Sequence, residues 1–337
     1  MSERVARVRG ALGSWDVVVV LALVAVAVVG ALTIDGVASP RFWRFVTLEA
    51  IPILLIALPM TLVVITGEID LSVASVVGLT CTVMGQLWVS GVTSLPVLIV
   101  VSLLLGALLG AVNGLFVTGF GLPSLAVTIG TLALYRGLAY VVLGDRAVAN
   151  YPPSWTTSAI KPIPGTTIPW MILVVAALAV VFAVVLHATP IGRGLYAMGN
   201  NAEAARFAGI NVRLTKFWLF VATGATSALA GVFWTLRFAS ARADNGSGIE
   251  LAVVAAVLLG GVSIFGGRGG LLGVVAAVAL LGVLRNALQL AYVPANTLTI
   301  ITGSLLIASV VGPNVAAMLR ERLRRRRSIA PTVSPTT

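Results

Sequence analysis

The sequence predicts an all-α polytopic membrane protein with about ten transmembrane helices, arranged as two inverted-topology halves of five. Three observations lead to this fold class. First, 59% of the 337 residues are hydrophobic and only 10% are charged, whereas a soluble domain carries about 25% charged residues. Second, the apolar residues form successive runs of spanning length without the alternation of barrel strands. Third, two stretches of the chain resemble each other.

The apolar runs predict ten spans, each near the roughly 20 residues that cross the hydrocarbon core. They cover residues 17–34, 50–66, 70–90, 95–117, 122–143, 168–188, 217–237, 250–265, 272–292 and 297–317. The run that begins at Val17 is too long for a signal peptide, so we expect an uncleaved first span. The transmembrane domain is therefore 17–318, with halves of roughly 17–188 and 217–318 on either side of a connection at 189–216.

The distribution of basic residues predicts the orientation. With the N-terminus in the cytoplasm, 14 basic residues fall in inner segments and 6 in outer ones, as the positive-inside rule requires. Segment 1–16 and the tail 319–337, basic and then disordered, are both predicted to be cytoplasmic, and the tail to touch anionic membrane lipid. The net charge of +11 thus indicates orientation and not nucleic-acid binding.

The residue counts exclude several kinds of chemistry. The single histidine, His187, rules out a zinc-binding HExxH helix and a conventional Ser-His-Asp triad, and the single cysteine, Cys81, rules out an internal disulfide. Neither Lys161 nor Lys216 stands in a Gly-Lys-Ser/Thr context, so the chain has no ordinary phosphate-binding loop. We therefore expect no catalytic residue, metal site or bound cofactor in this chain.

An internal repeat indicates the relation between the two halves. Asn113 matches Asn286 and Gly130 matches Gly303 at a common offset of 173 residues. The third to fifth spans thereby match the eighth to tenth, and a shift by five spans, an odd number, reverses the orientation. Inverted repeats of this kind are typical of transporters. The alternative is chance similarity in a chain rich in Leu, Val, Ala and Gly.

Polar residues within the spans are candidates for a transport pathway, because they are costly in hydrocarbon. Asn113, Asn286 and Gln289 carry neutral amides that suit an uncharged polyol; the alternative is hydrogen bonding between helices. Arg136 and Arg285 also lie in spans, where they either extend to an interface or pair with a carboxylate.

Asp70 and Ser72 stand at the start of the third span, after Glu68. Their oxygens suit capping of the helix N-terminus. The functional alternative is a polar patch at the mouth of the pathway.

Three segments resemble motifs of permease subunits in bacterial monosaccharide ATP-binding-cassette importers of the ribose, xylose, arabinose, rhamnose and autoinducer-2 type. Thr66–Ser75 is similar to the signature GGIDLSVGS, with Glu68 in place of the second glycine and Ala74 in place of the last. Ala197–Ile210 resembles the cytoplasmic loop GxNxxAARxxGI of that family. Gly260–Gly269 resembles LGGxSxxGGxG.

The resemblance implies partners. They are a separate ATPase subunit that binds ATP-Mg, a periplasmic or lipid-anchored substrate-binding protein, and a second permease copy or paralogue. It implies residence in the bacterial inner membrane. It also implies an ATPase-docking surface formed by Asn201, Glu203, Ala204, Ala205, Arg206 and Gly209.

The docking segment has a local structure that its residues predict. Asn201 is placed to cap a short helix over 202–207, and Gly209 to end it. The alternative function is an ordinary amphipathic interfacial helix. A further set of glycines marks either a tight inner turn or the hinge of a gate: Gly260, Gly261, Gly266 and Gly267.

The function that we predict is a permease that moves a monosaccharide or similar small polyol. Autoinducer-2, a nucleoside or a branched-chain amino acid are alternative substrates. A different class is an ion-coupled secondary transporter using Glu68, Asp70 or Glu250, which the scarcity of carboxylates within the spans disfavours. An intramembrane enzyme would need a positioned nucleophile or carboxylate pair, and the sequence offers neither.

Overall fold

A computed structural model describes residues 15–294, 296–298, 300, 301, 303, 304 and 307. The helices of this part are α1 Trp15–Thr33, α2 Pro40–Ile65, α3 Val73–Val89, α4 Leu95–Thr118, α5 Ser124–Leu143, α6 Pro153–Ile160, α7 Met171–Ala188, α8 Pro190–Asn200, α9 Ala202–Phe207, α10 Val212–Phe238, α11 Ile249–Leu259 and α12 Leu271–Leu290. The described residues between 296 and 307 are helical as well. Most of the tenth predicted span, most of segment 1–16 and the whole of the tail 319–337 lie outside the described residues.

The chain is an all-α polytopic membrane protein, as predicted. Nine of the ten predicted spans coincide with apolar helices, and seven of these helices are long and apolar enough to cross a membrane: α1, α2, α4, α5, α7, α10 and α12. Helices α3 and α11 are apolar but shorter, at 17 and 11 residues. A non-helical segment directly precedes each of these two helices: residues 66–72 precede α3, and residues 239–248 precede α11.

Two predicted connections turn out to be largely helical. The predicted outer connection 35–49 is helical from Pro40, because Ser39 accepts a hydrogen bond from the backbone amide of Phe42 at 3.3 Å and Pro40 stands in the first turn. The inner connection 189–216 contains α8 and α9, and α10 already begins at Val212.

Helix α2 is the centre of the bundle. Its buried residues run without a break from Leu54 to Ile65, and it packs against α7, α10, α11 and α12. A helix that is apolar on every side belongs in the interior of a large protein. The interior Pro52 and Pro59 are compatible with this place, because neighbouring helices can satisfy the backbone that a proline frees.

Helices α4 and α10 approach each other closely. A Cβ atom on Gly110 would overlap the carbonyl oxygen of Phe220, and one on Gly224 would overlap the carbonyl oxygen of Gly106. Small residues four apart let two backbones approach in this way. The contact fixes the face of α4 on which Asn113 lies.

Arg136 holds the non-helical segment before α11 against α3. Its guanidinium donates to the carbonyl oxygens of Asn245 and Ala74, each at 2.9 Å, and to that of Ala243. Irregular backbone at membrane depth is tolerated only where protein groups satisfy it. The expectation that Arg136 reaches an interface or pairs with a carboxylate is replaced by this set of three backbone acceptors.

One end of the bundle, the α8–α9 end, combines α8 and α9 with the turns 66–72 and 260–270. The amide of Gly267 donates to the carbonyl of Ile65 at 2.8 Å, and the Tyr196 hydroxyl donates to the carbonyl of Gly269 at 2.7 Å. Burial raises the pKa of Tyr196, which keeps its hydroxyl protonated as a donor. The turn 260–270 thereby connects α8 to the C-terminal end of α2.

Candidate functional site

A buried polar network lies where the turn 66–72 enters α3. The Asp70 side chain accepts hydrogen bonds from the amide and the hydroxyl of Ser72, at 3.0 and 2.6 Å. The amide nitrogen of Asn113 donates to the Ser72 hydroxyl at 2.8 Å, and the Tyr135 hydroxyl donates to the amide oxygen of Asn113 at 3.3 Å. We call Asp70, Ser72, Asn113 and Tyr135 the Asp70 network. All four residues are buried.

Helix α5 holds the turn in place from the other side. The amide of Ile69 donates to the Ser124 hydroxyl at 3.2 Å, and the Thr128 hydroxyl donates to the carbonyl of Ile69 at 3.3 Å. The Asp70 network is therefore assembled from two helices, α4 and α5, and the non-helical turn that leads into α3.

The structure brings together three of the five predicted pathway residues: Asp70, Ser72 and Asn113. Asn286 lies elsewhere, near the C-terminal end of α12, and donates to the carboxylate of Glu49 on α2 at 2.9 Å. Gln289 is exposed one turn further on. The part that these residues play in transport stays a prediction.

The capping prediction for the start of α3 holds only in part. The Ser72 side chain makes no hydrogen bond to the amides of the first turn. Instead, the Asp70 carboxylate binds Ser72 itself, a local turn that competes with helical structure. This turn explains why α3 begins only at Val73.

Tyr135 is an unpredicted member of the network, although the sequence contains a signal for it. Ser124, Thr128, Thr131 and Tyr135 recur at helical spacing along α5, and all four are buried. Residues four and three apart lie on one face of a helix. This polar stripe in an apolar span marks the face of α5 that meets the turn 66–72.

Glu68, which departs from the family motif, forms an ion pair with Lys216 of α10. The two charged groups are 2.5 Å apart, and the side chains of Lys216 and Glu68 are only 13% and 17% exposed. No motif in the sequence assigns a role to Lys216. No pattern within either segment points to the pair, because the residues are 148 positions apart.

The predicted local structure of the docking segment is confirmed. The Asn201 side chain accepts hydrogen bonds from the amides of Glu203 and Ala204, at 3.0 and 2.9 Å, and so caps α9. Ala205 faces inward at 3% exposure, whereas Glu203, Ala204 and Arg206 are accessible. Gly209 follows the helix with a φ of +86°.

The solvent-exposed surface of the docking segment is both apolar and basic. Phe207 is 86% exposed, and the preceding Arg206 lines a cleft of about 210 Å³ together with Ile210, Asn211, Val212 and Arg213. An exposed aromatic side chain next to two guanidinium groups is suited to contact with a protein partner that carries acidic groups.

The four glycines predicted as a turn or hinge lie in tight packing. A Cβ atom on Gly260 would lie 2.6 Å from the backbone of Val274, and one on Gly261 would overlap the indole of Trp15. Gly266 and Gly267 adopt φ values of +82° and +73° and meet the last residues of α8. This geometry accounts for the glycines as a tight turn, while a hinge remains a prediction.

No group of three or more His, Cys, Asp or Glu residues with the spacing of a metal site occurs in the described part of the chain.

Comparison with known proteins identifies relatives along most of the chain. The model of the family described as "Branched-chain amino acid transport system / permease component" matches residues 42–310. The "Autoinducer 2 import system permease protein LsrD" of Escherichia coli is 35% identical over 320 residues, which covers 91% of this chain and 96% of that protein. The protein of the same name in Shigella flexneri has the same identity and coverage. No solved structure matches the chain significantly.

Proposed function

The chain belongs to the family of branched-chain amino acid transport system permease components, and from that premise we propose that it imports a small sugar-like polyol of the autoinducer-2 type. It is a permease of an ATP-binding-cassette importer for a sugar-type substrate, a multi-pass inner-membrane protein and a non-enzymatic transport subunit. The observation that carries the proposed substrate is the 35% identity to LsrD over 91% of the chain.

The polar groups of the bundle support an uncharged, hydroxyl-rich substrate. In the Asp70 network, the hydroxyl and amide groups of Ser72, Asn113 and Tyr135 form hydrogen bonds with one another and with the Asp70 carboxylate, and Asn113 is fully buried. The proposed pathway runs through this network, and the paired side chains would close it there. Opening it would exchange hydrogen bonds within the network for hydrogen bonds to substrate hydroxyl groups, which limits the free energy that opening costs.

The partners follow from the architecture of such importers. A separate ATPase subunit, which holds ATP-Mg, docks on α9 and on the cleft between Arg206 and Arg213. A periplasmic or lipid-anchored binding protein delivers the substrate at the opposite end, and a second permease copy or paralogue completes the pathway. Both termini lie in the cytoplasm, and this chain itself binds no cofactor.

The mechanism assigned to this chain is alternating access imposed from outside. ATP-dependent closure of the ATPase displaces α9, and α8 and α10 transmit the movement because they flank α9 directly in the chain. The differential affinity of the partners for the inward-open and outward-open states supplies the driving free energy.

Reconstitution tests the proposal. The permease is incorporated into proteoliposomes with its ATPase and its binding protein, and uptake of autoinducer-2, ribose and leucine is followed with and without ATP on the side of the ATPase. We expect ATP-dependent uptake of autoinducer-2 that also requires the binding protein. Uptake that persists without ATP and collapses with an ion gradient would instead establish an ion-coupled secondary transporter.

A further inference from the structure

The ion pair between Glu68 and Lys216 connects two parts of the molecule that are remote in the chain. Among the described residues the one other ion pair is Arg242–Asp244, whose partners are two residues apart and about half exposed. The Glu68–Lys216 pair, in contrast, bridges the turn 66–72 and α10, and both side chains are largely withdrawn from solvent.

Glu68 stands immediately before the Asp70 network. Gly67 adopts a φ of +81°, which directs the chain out of α2 and into the turn. Ile69, the next residue, is held by Ser124 and Thr128, and Asp70 follows. A displacement of Glu68 therefore reaches the Asp70 network through the single intervening residue, Ile69.

Lys216 lies on α10, seven residues after Gly209, the last residue of the docking segment. Asn211 caps α10 by accepting a hydrogen bond from the amide of Leu214 at 3.0 Å, and only 208–211 separates α9 from α10. Lys216 lies in the second turn of α10. A displacement of α9 therefore reaches Lys216 through a capped, rigid helix start.

We propose that the Glu68–Lys216 pair links the docking segment mechanically to the Asp70 network, so that both are positioning residues for transport. This inference rests on the proposed function, because the movement that the pair transmits is the one that the ATPase imposes on α9. Separating the two charged groups is strongly unfavourable, because both side chains are largely buried and each charge would be left unpaired and poorly solvated. A movement of one partner therefore displaces the other.

The ionic character of the pair favours this role over simple packing. Well-packed apolar residues stabilise a buried site as well as an ion pair does or better, so stability alone gives no reason for two charges here. The turn 66–72 also takes part in close backbone packing at the α8–α9 end, where Gly266 lies against Gly199 and the amide nitrogen of Gly67. The ion pair is directional and adds a specific tether to it.

The test measures how many ATP molecules are hydrolysed per molecule imported, in proteoliposomes that contain the permease, its ATPase and its binding protein, with autoinducer-2 as the transported probe. In Glu68→Gln and Lys216→Met we expect this ratio to rise about fivefold or more, the low end of typical coupling between sites. Hydrolysis stimulated by the binding protein should continue, because the docking residues are intact.

Three further variants separate linkage from folding. Lys216→Arg keeps the charge, and the chain with Glu68→Lys and Lys216→Glu together restores the pair with its charges exchanged, so we expect both to keep a ratio within about twofold of the wild type. Lys161→Met is the matched control, because it alters the one other lysine of the chain, which is exposed. It should leave the ratio unchanged.

The outcomes are distinguishable. A wild-type ratio in assembled Glu68→Gln and Lys216→Met, or a charge-exchanged chain as poorly coupled as the single variants, overturns the link and leaves the proposed function standing. A wild-type complex whose uptake does not require ATP overturns the proposed function and the link with it.

Discussion

Asn113 uses both ends of its amide in the interior of the bundle. Its nitrogen donates to Ser72 and its oxygen accepts from Tyr135, whose hydroxyl is also 3.0 Å from the carbonyl of Leu109. A buried polar group that loses its partner costs about 1–3 kcal/mol. The orientation of Asn113 therefore depends on Tyr135, and so does the position of Ser72 at the start of α3.

Replacing Tyr135 by Phe removes this donor and keeps the ring. We expect a loss of about 1 kcal/mol in the free energy of unfolding and therefore a lower melting temperature of the purified protein in detergent. Tyr140→Phe is the matched control, since Tyr140 lies on the same helix and is 42% exposed. Equal melting temperatures for the two variants would contradict the role of Tyr135 in the network.

The helices follow from the sequence where length and apolarity decide them. Uninterrupted apolar runs fix nine helices of the bundle because a spanning segment has no alternative but to satisfy its backbone internally. The ends of the helices are less predictable. Helix α11 ends at Leu259 although Ile264 and Phe265 continue the apolar pattern, because Gly261 adopts a φ of +90°, and hydropathy contains no information on backbone angles.

Contacts between segments explain what the sequence did not predict at the site. The polar character of Asp70, Ser72 and Asn113 was evident, but their meeting depends on the packing of α4 against α10. Glu68 and Lys216 form a pair only because α2 and α10 both reach the α8–α9 end. By contrast, α9 and its cap were predicted in full, since Asn201, the residues of the helix and Gly209 are all local signals.

The packing of α4 against α10 gives an element-scale prediction. In Gly110→Ala the new methyl group would collide with the carbonyl oxygen of Phe220. The helices must separate, at a cost of about 1–3 kcal/mol. Gly137→Ala is the matched control, because nothing lies within 4 Å of a Cβ atom at Gly137. Melting temperatures in detergent should fall for the first variant and not for the second; a Gly110→Ala protein as stable as the control would refute the close contact.

The N-terminal cap of α9 gives a second prediction at the scale of a single helix. Asn201→Ala removes the acceptor of two backbone amides and should cost the helix about 1 kcal/mol, which is large for a helix of six residues. We expect less ATPase subunit to co-purify with the permease. Asn201→Asp retains a capping oxygen and should retain the ATPase. If Ala and Asp at this position behave alike, the fold of α9 does not determine docking.

At the scale of the whole molecule, the two predicted halves make matching helix contacts with each other. Helix α4 packs on α10, and α12 packs on α2. Under the predicted repeat, α2 corresponds to α10 and α4 to α12, so these two contacts are equivalent. The repeat also predicts that Asn113 and Asn286 lie near opposite faces of the membrane. This prediction can be tested by measuring which loops of the chain face the cytoplasm.

The distribution of basic residues predicts that α9 is cytoplasmic and that the loop between α5 and α7 is external. Phe207 and Thr166 are both exposed, and the native Cys81 is fully buried, so that it should not react. In right-side-out membrane vesicles, a membrane-impermeant maleimide should label Thr166→Cys at once and Phe207→Cys only after permeabilisation. Because each variant serves as the control for the other, the opposite labelling pattern would reverse the orientation. It would place α9 on the side of the binding protein, where no ATPase could reach it.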